Sequence, residues 1–154
     1  MKINYKGLAF HLLVPIMLLF IILMLIPDYS INYTVLKKPF PNMPSYIFFG
    51  LYILMYFIFG VAAYLGEEDL SRTNKAMSYY YISLFVNLLY IPIIFGTKNL
   101  FVGFLWSVHL LVIIYFTFSR FRKINKHCAR LFLIYFIYSL FLVYYSFFIY
   151  IFNK

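Results

Sequence analysis

Residues 7–27 read GLAFHLLVPIMLLFIILMLIP, with no Asp, Glu, Lys or Arg among them. Four more uncharged runs follow, at 44–65, 76–95, 100–119 and 131–152. Each approaches or reaches the roughly 20 residues that a helix needs to cross the hydrocarbon of a bilayer. In hydrocarbon every backbone N–H and C=O must be satisfied internally, and an isolated apolar run does that only as a helix. The alternating pattern of an outer-membrane barrel occurs in none of the runs. The expected fold is therefore an all-α integral membrane protein, a five-transmembrane-helix bundle forming a single domain over residues 1–154. Composition agrees. The chain is 66% hydrophobic and 11% charged, against about 45–50% and about 25% in a soluble domain. A soluble fold of this size has no interior large enough to bury so much apolar surface.

The first run follows Lys2 and Lys6 and so competes with a signal-peptide reading. A signal core is about 7–15 residues long and ends at small residues. This run is longer and ends Ile26-Pro27-Asp28-Tyr29, so it is read as a retained span. Pro15 within it is tolerable as a kink.

The charges all sit between the runs. The acidic residues are Asp28, Glu67, Glu68 and Asp69. None is expected inside a span, which counts against proton coupling through a buried carboxylate. The net charge of +9 is explained better by topology and anionic lipid than by nucleic acid. Five spans put Lys2, Lys6, Arg72, Lys75, Arg120, Arg122, Lys123, Lys126 and Arg130 on one side. Lys37, Lys38, Lys98 and Lys154 fall on the other. The positive-inside bias then predicts a cytoplasmic N-terminus and an outer C-terminus. The single cysteine, Cys128, excludes an internal disulfide.

The connector over residues 28–43 carries Pro39 and Pro41, and Pro44 opens the next run. Proline lacks a backbone N–H and fixes φ, so this stretch is predicted to be a stiff extended lid over one mouth of the bundle. Behind it, Tyr52, Tyr56 and Gly60 recur at one-turn spacing on one helical face. Asn87 is the least ordinary intramembrane residue, because an amide in hydrocarbon must find a partner. It suits an interhelical hydrogen bond and a pocket role equally. Tyr52, Tyr56, Tyr90, Tyr135 and Tyr138 could stack on a flat ligand. With 17 tyrosines in the chain, core packing explains any single one more simply. Tyr79, Tyr80 and Tyr81 suit the interfacial belt.

His109, one turn from Trp106, is the residue a haem hypothesis would use as axial ligand. A bundle hydrogen bond is the commoner role for a lone membrane histidine. His11 has nothing beside it in sequence, and His127 and Cys128 read as interfacial. No spacing suits zinc, and no metal site is expected. Val112, Tyr115 and Arg120 fit a loose sterol-contact pattern that is common by chance; Arg120 is more simply a snorkelling anchor. Gly60, Ala62, Ala63 and Gly66 form a small face that permits close packing, within the monomer or in a homodimer. No nucleophile–base pair, phosphate loop or carboxylate pair appears, so no catalytic residue is assigned.

The order Tyr33, Leu36, Lys38-Pro39, Pro44, Tyr52, Met55-Tyr56, Gly60 resembles the lid and second span of the TspO/MBR family, the translocator or tryptophan-rich sensory proteins. Asn87, Tyr90, Pro92, Ile94-Phe95, Gly96 and Lys98-Asn99 resemble its third span. Ala129-Arg130-Leu131, Ile134-Tyr135, Tyr138 and Phe141 resemble its fifth. The chain departs from the pattern as well. Tyr52 and Tyr138 stand where the family usually has Trp, and Ile134 replaces a Pro. Ser146 replaces an Asn, and Trp106 stands where many members are acidic.

The resemblance implies a binding protein, sensor or transporter for a flat hydrophobic ligand, a tetrapyrrole such as protoporphyrin IX or haem first and a sterol-like lipid second. It implies a pocket from Tyr33, Pro39, Pro44, Tyr52, Tyr56, Asn87, Tyr90, Trp106, Tyr135 and Tyr138. No cofactor is required by this reading, a porphyrin being ligand only. The expected surroundings are the lipid bilayer, a bacterial cell membrane by its Lys, Ile, Asn, Tyr and Phe richness, with no nucleic acid. Two rivals stand beside it: a membrane enzyme degrading porphyrin, and a ligand-free structural or interaction subunit.

Overall fold

A computed structural model describes residues 5–67 and 74–154. Lys2, Glu68, Asp69 and Arg72, which bear on the charge asymmetry, lie outside the described residues. The helices in chain order are α1 (Tyr5–Leu25), α2 (Tyr29–Thr34), α3 (Ser45–Glu67), α4 (Asn74–Leu88), α5 (Leu100–Phe121) and α6 (Lys126–Phe152). A π-helical turn, Pro92–Gly96, carries α4 onward. Five segments are long and apolar enough to cross a membrane: Tyr5–Leu25, Ser45–Glu67, Lys75–Gly96, Leu100–Phe121 and Lys126–Phe152. No strand occurs among the described residues. The protein is a five-helix, multi-pass membrane bundle whose outer surface meets lipid.

Side-chain distribution follows from that solvent. α1 buries only His11, Pro15, Leu19 and Leu23, one stripe at a spacing of four. Leu13, Met17, Ile21 and Met24 stay exposed, as they can where the solvent is hydrocarbon. α3 is the central element and packs on both α1 and α6. Its small residues face inward on two sides. A Cβ on Gly60 would collide with the backbone carbonyl of His11, and one on Gly66 with the ring of Phe121. Ala62 and Ala63 are fully buried. The small face is thus used for packing inside the monomer.

Two local features differ from the sequence expectation, and a third adds to it. First, the lid is not extended throughout. Asn32 N donates to the Asp28 carbonyl at 2.8 Å, closing the short helix α2 before the chain straightens towards Pro39. The prolines govern only the residues after Thr34. Second, the basic stretch 120–130 is mostly helical. The Asn125 side chain accepts from His127 N at 2.8 Å, which caps α6 and starts it before the apolar run. Cys128 is therefore fully buried, and its S–H donates to the Ala62 carbonyl at 2.9 Å, rather than lying at the interface. His127 does stay exposed. Third, Pro92 has no N–H to give the Leu88 carbonyl, and its ring crowds that turn. The helix widens there, and Thr97 N bonds back to the Pro92 carbonyl at 3.1 Å, the wider i to i−5 pattern.

Candidate functional site

The lid is tied down at four places. Asn32 Nδ2 donates to the Phe95 carbonyl at 3.1 Å, joining α2 to the π-turn. Tyr33 donates to the Met43 carbonyl at 2.8 Å, so Tyr145 donates to the Tyr33 oxygen, also at 2.8 Å. Tyr144 donates to the Phe40 carbonyl at 2.8 Å. Asn153 closes a two-way clasp, accepting from Lys37 N at 2.9 Å and donating to the Lys37 carbonyl at 2.8 Å. Pro39 is buried in this lid, whereas Pro44 is exposed at the start of α3. Burial of Tyr33, aided by Tyr145, pushes its hydroxyl well above the ordinary tyrosine range, so it remains a proton donor.

Asn153 is where the clasp is most easily tested. Asn153→Ala should leave the bundle folded but loosen the lid's C-terminal half. Amide hydrogen exchange at Lys37 should rise at least about tenfold, a loss of about 1.4 kcal/mol of local protection. Unchanged exchange would mean that Tyr33 and Tyr144 hold the lid without Asn153.

Beneath the lid the space is filled by rings. Tyr33 stacks on Phe48 at 4.8 Å between centroids, and Phe48 stacks on Tyr145 at 5.4 Å. Phe95 meets Tyr33 edge-on at 5.8 Å. Deeper in, Tyr52 stacks on Tyr90 at 6.1 Å and contacts Tyr56 at 5.3 Å. Tyr135 packs against Phe59 at 4.6 Å and Tyr138 at 6.1 Å. Phe141, 5.3 Å from Tyr145 and 6.2 Å from Tyr138 between ring centroids, links the first of these sets to the last, so an aromatic column runs from the lid into the bundle.

Asn87 is the polar centre of the column. Tyr52 donates to its backbone carbonyl at 2.7 Å and lies 3.0 Å from its side-chain oxygen. Its Nδ2 donates to the Tyr135 hydroxyl. One fully buried amide thus joins α3, α4 and α6, the interhelical one of the two roles open to it from the sequence. Tyr90 pairs with Ser146 at 2.7 Å, so a serine of α6 supplies its polar partner. In contrast, the buried hydroxyls of Tyr80 and Tyr138 have no hydrogen-bond partner among the described residues.

The remaining candidates lie apart. Trp106 sits partly buried between α4 and α5, its Nε1–H donating to the Val86 carbonyl at 2.8 Å. It is not one of the stacked rings of the column. His109 is exposed next to Trp106, with 5.8 Å between ring centroids. It cannot reach an iron inside the column from that face. Val112, Tyr115 and Arg120 are all exposed, and Arg120 lies over the Tyr79 ring at 5.4 Å. Of the tyrosine triplet, Tyr80 is buried instead of interfacial. Among the described residues no three His, Cys, Asp or Glu side chains are grouped to hold a metal ion.

An open groove of about 250 Å³ runs between α3 and α6 on the flank of the column. Leu51, Met55, Ile137 and Phe141 line it, Met43 of the lid stands at one end, and Tyr138 forms part of its wall. The matching family model covers residues 9–151, described as the TspO/MBR family. The chain belongs to the TspO/MBR family. A separate comparison with curated proteins finds no match. Membership in the TspO/MBR family suggests a membrane ligand-binding or sensor protein.

Two further features of this TspO/MBR protein escape a reading of the sequence. His11 is buried yet not alone: its Nε2 lies 2.7 Å from Glu67 Oε2, so α1 and α3 are joined by a polar contact at their ends. Glu67 is the last residue of α3 and is 38% exposed, not released to water with the loop. Tyr145, Ser146 and Asn153 complete the site from α6 and its end. Ser146 is marked in the sequence only by the resemblance, Tyr145 is one of 17 tyrosines, and Asn153 lies beyond the last run.

Proposed function

We propose that this TspO/MBR protein binds a flat hydrophobic molecule carrying a few polar atoms, a tetrapyrrole such as protoporphyrin IX, taken from the bilayer through the α3–α6 groove. The observation that carries this reading is the buried hydroxyl of Tyr138, which has no hydrogen-bond partner among the described residues and belongs to a ring in the wall of that groove. A buried polar atom without a partner costs stability, about 1–3 kcal/mol. A ligand that supplies an acceptor recovers that cost, while its rings exchange contacts with the tyrosines. Asn87 acts at one remove, holding Tyr52 and Tyr135 in place. With no histidine in the column, the free-base porphyrin fits better than an iron ligated by His109. The ring-filled space under the lid supports a ligand that displaces side chains as it enters. It equally favours a second reading, a bundle that only packs and binds no ligand.

A titration separates the two. Protoporphyrin IX added to the detergent-purified protein should quench Trp106 saturably at low micromolar concentration. Tyr52→Ala/Tyr138→Ala should abolish the saturation. Linear quenching, identical in both proteins, would mean partitioning without a site and would leave the packed bundle as the function-free reading.

A further inference from the structure

The end of the bundle away from the lid carries a second groove, of about 450 Å³, between the end of α5 and the start of α6. Its lining divides by chemistry. Arg122, Lys126 and Arg130 supply three cationic groups, and Phe118, Ala129 and Leu133 supply apolar surface. The division follows from helical geometry. Lys126 and Arg130 are one turn apart on the same face of α6, and Phe118 is one turn before Arg122 at the end of α5. All three cations are exposed. Among the described residues the one contact between a basic side-chain nitrogen and a carboxylate is that of His11 with Glu67, so no described carboxylate neutralises them. The groove opens where two membrane-spanning segments reach the headgroup layer.

We infer that this groove is a binding site for one anionic glycerophospholipid, its phosphodiester held by Arg122, Lys126 and Arg130 and its first chain segment lying along Phe118 and Leu133. Arg guanidinium groups match phosphate oxygens by paired donation, and Lys adds a point charge. A soluble phosphate would use the cations but leave the apolar floor wet, whereas a lipid uses both. Basic pockets between spans are a recurrent solution for anionic headgroups. The site lies at the opposite end from the lid and does not depend on the porphyrin reading. A neighbouring groove lined by Lys75, Arg120 and Lys123 provides a control, because it is equally basic.

The test is native mass spectrometry of the full chain from neutral detergent, with dioleoylphosphatidylglycerol and dioleoylphosphatidylcholine offered in equal amounts. The phosphatidylglycerol adduct should be retained preferentially in the unmodified protein. Arg122→Gln/Lys126→Gln/Arg130→Gln should weaken it at least about tenfold, and Lys75→Gln/Lys123→Gln should not. Should the triple variant not fold, Arg122→Gln and Arg130→Gln singly carry the same comparison, each with a partial loss expected. Equal retention of the two lipids, or equal loss in both sets of variants, would overturn the site. Displacement of the lipid by millimolar inorganic phosphate would overturn the lipid assignment in favour of a soluble anion.

Discussion

Gly60→Ala should destabilise the bundle by about 2–3 kcal/mol or more, while Gly50→Ala on the same helix should leave it unchanged or stabilise it by up to about 1 kcal/mol. Ordinarily alanine is the better helix residue, because glycine loses more backbone freedom on folding. At Gly50 nothing lies within 4 Å of an added Cβ, so that general preference applies. At Gly60 the added atom would run into the His11 carbonyl, with Leu12 Cδ2 also at 3.3 Å. A carbonyl cannot rotate away as a side-chain tip can, so the whole of α1 must move. That movement would also part His11 from Glu67, which lies two turns further along the same helix. The contrast is read from the unfolding midpoints of both variants in one detergent. A Gly60→Ala protein as stable as its parent would show that α1 does not sit on α3 in this register, and the His11–Glu67 contact would fall with it.

The spans are legible in the sequence because uncharged length is a one-dimensional property. Five runs without a charge leave few alternatives once the solvent is hydrocarbon. The features that escape the sequence are pairwise and three-dimensional. His11 and Glu67 are 56 residues apart, and their meeting depends on the close approach at Gly60, which no local pattern reveals. The early start of α6 is hidden because Lys126 and Arg130 look like loop residues. On a helix at the membrane edge they can reach water while Cys128 and Ala129 between them turn inward. The Asn125 cap is the readable sign of it. The short helix α2 escapes for the opposite reason: the prolines at 39, 41 and 44 dominate the reading of a connector whose first part they do not touch.

The candidate site divides in the same way. Asn87 is legible as a residue needing partners, and it has them in Tyr52 and Tyr135. Which tyrosines are satisfied and which are not is beyond the sequence. Tyr52, Tyr135 and Tyr138 are the same residue type at similar depth, and only geometry separates the paired hydroxyls from the partnerless one of Tyr138. Trp106 invites a pocket role by its rarity, yet its N–H is already committed to Val86.

That separation sets opposite expectations for one chemical change. Tyr138→Phe should leave the ligand-free protein as stable or up to about 1 kcal/mol more stable, since it deletes a buried hydroxyl that has no partner among the described residues. Tyr52→Phe should cost about 1–2 kcal/mol, since it removes the donor to both oxygens of Asn87. Ligand affinity should then run against stability. If Tyr138 offers its hydroxyl to a polar atom of the porphyrin, Tyr138→Phe should weaken protoporphyrin IX binding about tenfold, the value of one hydrogen bond of about 1.4 kcal/mol. The ring itself survives the change, so stacking contacts remain and the loss isolates the hydroxyl. Trp106 quenching gives the affinity, and thermal unfolding with and without porphyrin gives the stability. A Tyr138→Phe protein that binds as well as its parent would take the hydroxyl out of the site. One that is also less stable would show that the hydroxyl serves the bundle itself. A variant both more stable and weaker in binding would mean that the protein keeps Tyr138 for a ligand, at the expense of its own packing.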